Sequence, residues 1–189
     1  MLLADADLDP FFDLAKGDIF RMEALPEYRV DVEQPLLRAY LAGEPYDMAR
    51  EPTKWQSYIR ARTSEGINWR KVRVLGDNLT PYERWECEWG YPASARHGQR
   101  TRILQRADAD RIGLPAYDWW MFDSAIVLKF HYDETGAFVG AEELPGSAAA
   151  AHVAWRDRSL DAGVPSERWW AAHPQYWRDN WLTIEPQQT

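Results

Sequence analysis

Charged side chains stand beside large aromatic residues in several places along the chain, and these positions have the strongest potential for chemistry. The clearest runs are Phe20-Arg21-Met22-Glu23, Tyr82-Glu83-Arg84-Trp85-Glu86 and Asp118-Trp119-Trp120-Met121-Phe122-Asp123. Arginine forks bind phosphate or carboxylate groups, and aromatic rings stack on planar ligands or cations. If the three runs converge in the fold, they predict a charged pocket for an anion or a nucleotide.

The pocket hypothesis combines arginines and carboxylates with aromatic walls. Its candidate residues are Arg21, Glu23, Trp55, Arg73, Tyr82, Arg84, Glu86, Trp119, Trp120 and Asp123. The same residues have a second interpretation, which the sequence favours: a buried ion-pair network that fixes a sheet against its helices. Both interpretations require convergence, and they differ in whether solvent and ligands reach the charges.

A second set of aromatic residues lies near the C-terminus at helical spacing. It consists of Trp169, Trp170, Tyr176, Trp177 and Trp181, with His173 between them. A helix packed on the core is the ordinary interpretation of this spacing. The alternative is a surface that binds a protein partner, because exposed Trp and Tyr are enriched at interface hot spots.

The sequence contains no motif of a known catalytic class. It has neither a glycine-rich phosphate loop nor a nucleophile elbow, and its four histidines fit no metal-ligand spacing. Cys87 lies between Trp85 and Trp89, as an ordinary core thiol does. We therefore expect no cofactor and no metal ion, and we favour a non-enzymatic function.

Composition indicates one globular domain over residues 1–189, with 46% hydrophobic residues and 11 Trp that supply much of the core. No apolar run approaches the length that crosses a bilayer, and the N-terminus lacks the features of a signal peptide. A single cysteine excludes an internal disulfide and fits a reducing compartment. These features predict a cytoplasmic protein.

Charge is distributed unevenly along the chain. Net charge is −7 over residues 1–53, +5 over residues 54–112 and −6 over residues 113–189, which gives −8 in total. A basic middle between acidic ends predicts neutralisation within the domain, and the alternative is one basic face on an acidic body. The overall negative charge argues against direct binding of nucleic acid.

Periodicity places these residues on a small set of elements. Strands are predicted at 18–24, 67–75 with a bulge between Trp69 and Val72, 101–106, and in a hairpin formed by 125–132 and 137–141. Helices are predicted at 31–42 with Asp31 as N-cap, at 53–63, and from Thr80 with Glu83 closing a capping box. Residues 44–52 are predicted to form a loop.

The C-terminal part is predicted to be helical at 147–162 and 166–181, with a break at Pro174. Residues 1–17 form an N-terminal segment, and the helices within 147–185 pack on the rest of the domain. Strands and helices do not alternate strictly. The sequence therefore predicts an α+β fold with a mixed, mainly antiparallel sheet, flanking helices and a Trp-rich helical C-terminus.

An ordered set of short motifs resembles an uncharacterised actinobacterial family of domains of unknown function. The set runs from Phe20-Arg21-Met22-Glu23 through Arg70-Lys71-Val72-Arg73-Val74 and Thr80-Pro81-Tyr82-Glu83-Arg84-Trp85-Glu86 to the Asp118–Asp123 run, and spans residues 12–170. The chain departs from the family pattern mildly, at Met22, Lys71 and Thr80. Members of the family are often encoded beside helix-turn-helix regulators, which implies a role in regulation or signalling.

Two functional hypotheses follow from the residues and the resemblance. The leading one is a regulatory domain that binds a protein partner, a helix-turn-helix transcription regulator, since an acidic surface suits a basic DNA-binding partner. The alternative is a domain, with or without enzyme activity, that binds a small molecule or nucleotide in the arginine–carboxylate–tryptophan pocket.

Overall fold

One mixed sheet organises the domain. The computed structural model describes residues 2–47 and 50–181, and within them the strands are β1 (Asp18–Glu23), β2 (Asn68–Leu75), β3 (Arg100–Gln105), β4 (Trp119–Phe122), β5 (Ile126–Tyr132), β6 (Phe138–Glu143) and β7 (Val164–Pro165). Their order is β6-β5-β4-β1-β2-β3-β7. β2 is parallel to β1 and to β3, whereas the other neighbouring pairs are antiparallel. The predicted α+β fold with a mixed, mainly antiparallel sheet is confirmed.

Helices cover both faces of this sheet. Those in the described part of the chain are α1 (Asp9–Leu14), α2 (Gln34–Leu41), α3 (Lys54–Ser64), α4 (Pro81–Trp85), α5 (Tyr91–Ala95), α6 (Arg106–Arg111), α7 (Ala149–Ala162), α8 (Ser166–Ala171) and α9 (Arg178–Trp181). A π-helical turn, Glu86–Gly90, joins α4 to α5. The predicted helices at 31–42, 53–63 and from Thr80 are confirmed, although the first is shorter.

The helix starts show which local signals determine structure here. Thr80 accepts a hydrogen bond from the Glu83 amide, and the Glu83 carboxylate accepts one from the Thr80 amide, as the predicted capping box requires. Thr53 caps α3 in the same way with Gln56. The prediction of Asp31 as a cap is wrong, because residues 31–33 form turns and α2 begins only at Gln34.

Strand β2 runs without the bulge predicted between Trp69 and Val72. Its register with β1 and β3 is continuous, and it is packed on both faces. Trp69 lies in the core on one side, whereas Val72 and Val74 lie in the core on the other. A strand covered on both faces can carry apolar residues in both phases, so the switch of phase required no bulge.

The hairpin and the C-terminal part follow the sequence signals closely. β5 and β6 are joined by a turn in which Gly136 has a positive φ of 78° and the Asp133 carboxylate accepts backbone hydrogen bonds. The predicted break at Pro174 is present as a short 3-10 turn, Pro174–Tyr176, between α8 and α9. The predicted loop is irregular over residues 44–47 and 50–52, and its Met48 and Ala49 lie outside the described residues, as do positions 182–185.

Candidate functional site

Three of the predicted site residues, Arg21, Glu23 and Arg73, meet at the centre of the sheet, together with Lys71, which was not predicted. Arg21 and Glu23 on β1 lie beside Lys71 and Arg73 on β2, and strand alternation turns all four side chains to the same face. The Glu23 carboxylate lies 2.8 Å from the Lys71 ammonium and 3.5 Å from the Arg21 guanidinium. The parallel pairing of β1 and β2 is therefore what creates this charged cluster.

Asp118 completes the cluster from the start of β4. It is fully buried, and its carboxylate accepts hydrogen bonds from Arg21 Nη2 at 2.8 Å, the Tyr28 hydroxyl at 2.6 Å and the Ala24 amide at 2.8 Å. Sequence reasoning selected Asp123 from the same motif and left Asp118 out. The missed signal is that Asp118 directly precedes a fully buried strand, where a carboxylate needs several donors.

Arg73 connects the cluster to the π-helical turn Glu86–Gly90. It is completely buried, lies 3.1 Å from the Glu86 carboxylate and donates a hydrogen bond to the Pro26 carbonyl at 3.2 Å. Its guanidinium also lies over the ring of Tyr28, 5.0 Å from the ring centroid. Nε and Nη1 of Arg73 have no hydrogen-bond partner among the described residues, so part of this charge is held by Coulomb attraction and ring contact.

Burial and neighbouring charges shift the pKa values of Glu86 and Glu23 in opposite directions. Burial raises the pKa of Glu86 to about 8, because Arg73 offsets only part of the desolvation. Burial also acts to raise the pKa of Glu23, but Lys71, Arg21 and Arg73 outweigh it and hold that pKa below its usual range. At neutral pH Glu23 is therefore an anion of the cluster, whereas Glu86 can take up a proton in that range.

The remaining predicted pocket residues lie at different distances from this centre. Tyr82 is buried beside Tyr28 and donates a hydrogen bond to Glu33 at 2.7 Å, and Trp120 packs 5.2 Å from the Arg21 guanidinium. Trp55 is separated from the charges by the Trp120 ring, with 6.3 Å between the two ring centroids. It remains 42% exposed.

Three predicted pocket residues lie away from the cluster. Trp119 is buried on the opposite face of the sheet, packed against Phe20. Arg84 lies over the Tyr176 ring. Asp123 is exposed and accepts backbone hydrogen bonds from residues 16–18, which lowers its pKa despite the opposing effect of desolvation. The structure thus joins Arg21, Glu23, Arg73 and Glu86 into a buried network and leaves Trp119, Arg84 and Asp123 outside it.

The predicted C-terminal partner surface is partly folded into the domain. Trp169 is buried and stacks on His173, with ring centroids 3.9 Å apart, whereas Trp170 and Tyr176 are half-buried. Trp177 is 39% exposed and donates a hydrogen bond to the Trp170 carbonyl. The side chain of Trp181 lies outside the described residues.

An open groove of about 360 Å³ lies next to the charged cluster. Gln34, Leu37 and Leu41 of α2 form one wall, and Pro81 and Tyr82 belong to another part of its lining. The remaining lining residues are Glu27, Tyr28, Arg29 and Thr135. Tyr28 and Tyr82 contact both the groove and the charged residues, so they separate a solvent-filled surface feature from the buried charges behind it.

The surroundings of the groove combine apolar groups and carboxylates with the lining arginine Arg29. Val32 is 83% exposed just before α2, and Leu41 is 41% exposed on α2 itself. Exposed carboxylates of Asp31, Asp133 and Glu134 lie in the segments that border the groove, in addition to Glu27. This combination suits the apolar face of a basic protein segment better than it suits an anion.

Over residues 2–47 and 50–181, no group of three or more His, Cys, Asp and Glu side chains has the arrangement of a metal site. No helix in that part of the chain is long and apolar enough to span a membrane.

Comparison with known proteins places the chain in a family but gives no activity. No curated protein matches the chain. Among solved structures, the fold is similar to that of Nuc, a phospholipase D family member from Salmonella typhimurium, with a TM-score of 0.47 and 13% identity over 82% of this chain and 86% of that one. A family match covers residues 6–171, and the chain therefore belongs to the DUF6879 family, a domain of unknown function.

Proposed function

We propose that this protein is a non-enzymatic regulatory module that binds a protein partner, a helix-turn-helix transcription regulator, at the groove beside α2. The observation that carries the proposal is the groove itself, with the exposed Leu41 on its apolar wall and carboxylates around it. Actinobacterial origin and a regulator encoded nearby, both implied by the family resemblance, belong to the same proposal.

The charges of the groove fit the chemistry of such a partner. DNA-binding regulators carry basic helices, whose lysines and arginines would meet Glu27 in the groove and the exposed Asp31 and Glu134, which are close in sequence to lining residues. An apolar stripe on the same helix would pack against Leu37 and Leu41. A regulator held in this way has less basic surface free for DNA, which would make the protein a competitor of DNA.

The test is a binding titration between the purified protein and the regulator encoded beside it. Leu41→Lys should weaken the complex at least tenfold, because it removes an apolar contact and places a positive charge opposite a basic partner. Leu14→Lys is the matched control, since Leu14 is 72% exposed and lies outside the groove. Micromolar binding that both variants keep would refute the groove as the site.

The second candidate function is the binding of a small molecule or nucleotide by the arginine–carboxylate–tryptophan residues. The position of Tyr28 and Tyr82 favours this candidate, because both line the groove. Tyr28 also contacts the Arg73 guanidinium, and Tyr82 packs against Tyr28. Mass spectrometry of the protein under native conditions separates the two candidates. A stoichiometric small ligand that survives purification would favour this one, and a complex with the regulator would favour the first.

A further inference from the structure

The last described segment of the chain lies beyond the family match and is fastened to the domain by polar contacts. We define it as the C-terminal arm, residues 172–181, whereas the match ends at residue 171. The Tyr176 hydroxyl donates a hydrogen bond to the Asp77 carbonyl at 2.6 Å, and the Arg178 amide donates one to the Glu88 carboxylate at 3.0 Å. Residues 172–180 include no fully buried side chain.

The side chain of Arg178 attaches the arm to a site formed by two aromatic rings and two backbone carbonyls. Its guanidinium lies 5.3 Å from the Tyr40 ring centroid and 5.2 Å from the Trp89 ring centroid, in the corner between two nearly perpendicular rings. Nη1 donates hydrogen bonds to the Glu44 carbonyl at 2.5 Å and the Tyr40 carbonyl at 3.4 Å. We call this site, formed by Tyr40, Glu44, Glu88 and Trp89, the arginine slot.

The slot selects arginine for physical reasons. A planar guanidinium can lie on two aromatic faces and still donate in its own plane to carbonyl groups, whereas the compact, strongly hydrated ammonium of lysine fits this arrangement poorly. The Glu88 carboxylate accepts from both the Tyr40 hydroxyl, at 2.9 Å, and the Arg178 amide. Glu88 therefore binds the backbone of Arg178 and also fixes the position of the Tyr40 side chain.

The aromatic residues that form the slot and the arm that enters it differ in burial. Tyr40 is completely buried and Trp89 is 5% exposed, and both belong to the core cluster that includes Tyr28 and Tyr82. The arm, by contrast, has Trp177 39% exposed, and most of its hydrogen bonds are exposed. Its packing against the core consists of the half-buried rings of His173 and Tyr176, which stack beside Trp169. A segment held mainly by exposed hydrogen bonds opens at low free-energy cost, so the arm can leave while the slot keeps its shape.

We propose that the arginine slot is a recognition site for an arginine of the protein partner, and that Arg178 occupies it as an intramolecular competitor. The inference rests on the proposed function, because it names the chemistry of the partner that the module binds. α2 carries both features, with Tyr40 in the slot and Leu41 in the groove. A basic partner segment that contacts α2 along its length would displace the arm and place its own arginine in the slot.

The test uses the full chain and a synthetic peptide with the sequence of residues 172–181. In the Arg178→Ala protein the slot has lost its own arginine, and calorimetric titration should show that it binds this peptide at least tenfold more tightly than the wild-type protein does. A peptide with alanine at the position of Arg178 should lose that gain, and a peptide with lysine there should lose most of it. Arg168→Ala, at an exposed position on α8, is the matched control protein and should bind as the wild type does.

Two outcomes would overturn the inference. One is equal affinity of the wild-type and Arg178→Ala proteins for the peptide, and the other is equal binding of the arginine and alanine peptides. Thermal unfolding of both variants ensures that a negative result does not come from a damaged fold. Since no regulator is present in this titration, its failure leaves the groove test unaffected, and loss of regulator binding in Leu41→Lys leaves the peptide result unaffected.

Discussion

The charged cluster lies beside the groove of α2. We call the groove residues of α2, together with Val32 and the neighbouring exposed carboxylates, the α2 surface, and it differs from the cluster in how far its residues are exposed. In the cluster, Arg21, Arg73 and Asp118 are buried. Arg21 pairs with Asp118 and Arg73 lies beside Glu86, so these charges face partners inside the molecule. On the α2 surface, Leu41 and Val32 face solvent with carboxylates around them. The most conspicuous charged residues of the sequence therefore lie in a buried network, whereas plainer residues form the exposed surface that we propose binds a partner.

Tyr28 and Tyr82 form the boundary between the two regions. Tyr28 donates a hydrogen bond to Asp118 on the inner side and lines the groove on the outer side, and Tyr82 does the same with Glu33. Substitutions in the charged cluster should therefore change the stability of the domain, and substitutions in the groove should change the binding of the partner.

Asp118→Ala should cause the greatest loss of stability. It leaves Arg21 buried without its closest carboxylate and removes the acceptor of the Ala24 amide and the Tyr28 hydroxyl. Breaking a buried ion pair typically costs about 3–5 kcal/mol in the free energy of unfolding. Urea unfolding measures the change, with the exposed Asp161→Ala as control, which should remain within about 0.5 kcal/mol of wild type. Similar small losses in both variants would show that the cluster does not stabilise the fold.

Glu86→Gln should remove a pH dependence with a smaller amplitude. The pKa of Glu86 is raised from 4.5 to about 8 by burial, so the folded state holds this proton more tightly than the unfolded chain. The resulting stabilisation is complete below 4.5 and is lost as pH rises through about 8. Glu33 and Glu83, whose pKa values are also raised by burial, act in the same direction.

The measurement is the free energy of unfolding at about pH 6 and about pH 8. Wild type should lose roughly 2 kcal/mol across this interval, and Glu86→Gln should lose much less. Glu23 does not interfere, because its lowered pKa affects stability only when pH falls into the acid range. The exposed Glu143→Gln should keep the wild-type slope. An unchanged slope in Glu86→Gln would show that this carboxyl titrates normally.

Local signals in the sequence predicted most of the fold. The capping box at Thr80 and Glu83, the turn at Gly136 and the break at Pro174 each act over a few residues, so they are visible without the tertiary structure. The basic middle and acidic ends also predicted neutralisation, and Arg70 with Asp18 and Lys71 with Glu23 provide it. The sequence offered the convergence of Arg21, Glu23, Arg73 and Glu86 only as a condition, and the parallel pairing of β1 with β2 and the contact of Arg73 with Glu86 meet it.

The parts that sequence reasoning missed depend on contacts between distant segments. Asp118 lies 97 positions from Arg21 along the chain, and only the pairing of β1 with β4 brings the two together. The π-helical turn at Glu86–Gly90 changes the phase of a helix in a way that no local signal announces. Arg178 was not selected at all, because its two aromatic partners come from α2 and from that π-helical turn.

Hydrogen exchange of the full chain, with and without the helix-turn-helix regulator, tests the division between surface and cluster most directly. The account predicts slower exchange in residues 27–41 and at the start of α4, which border the groove, and unchanged exchange in β1 and β2. Faster exchange in the C-terminal arm would accompany its displacement from the slot. Protection confined to surfaces away from α2, or no protection at micromolar concentrations of both proteins, would contradict the account.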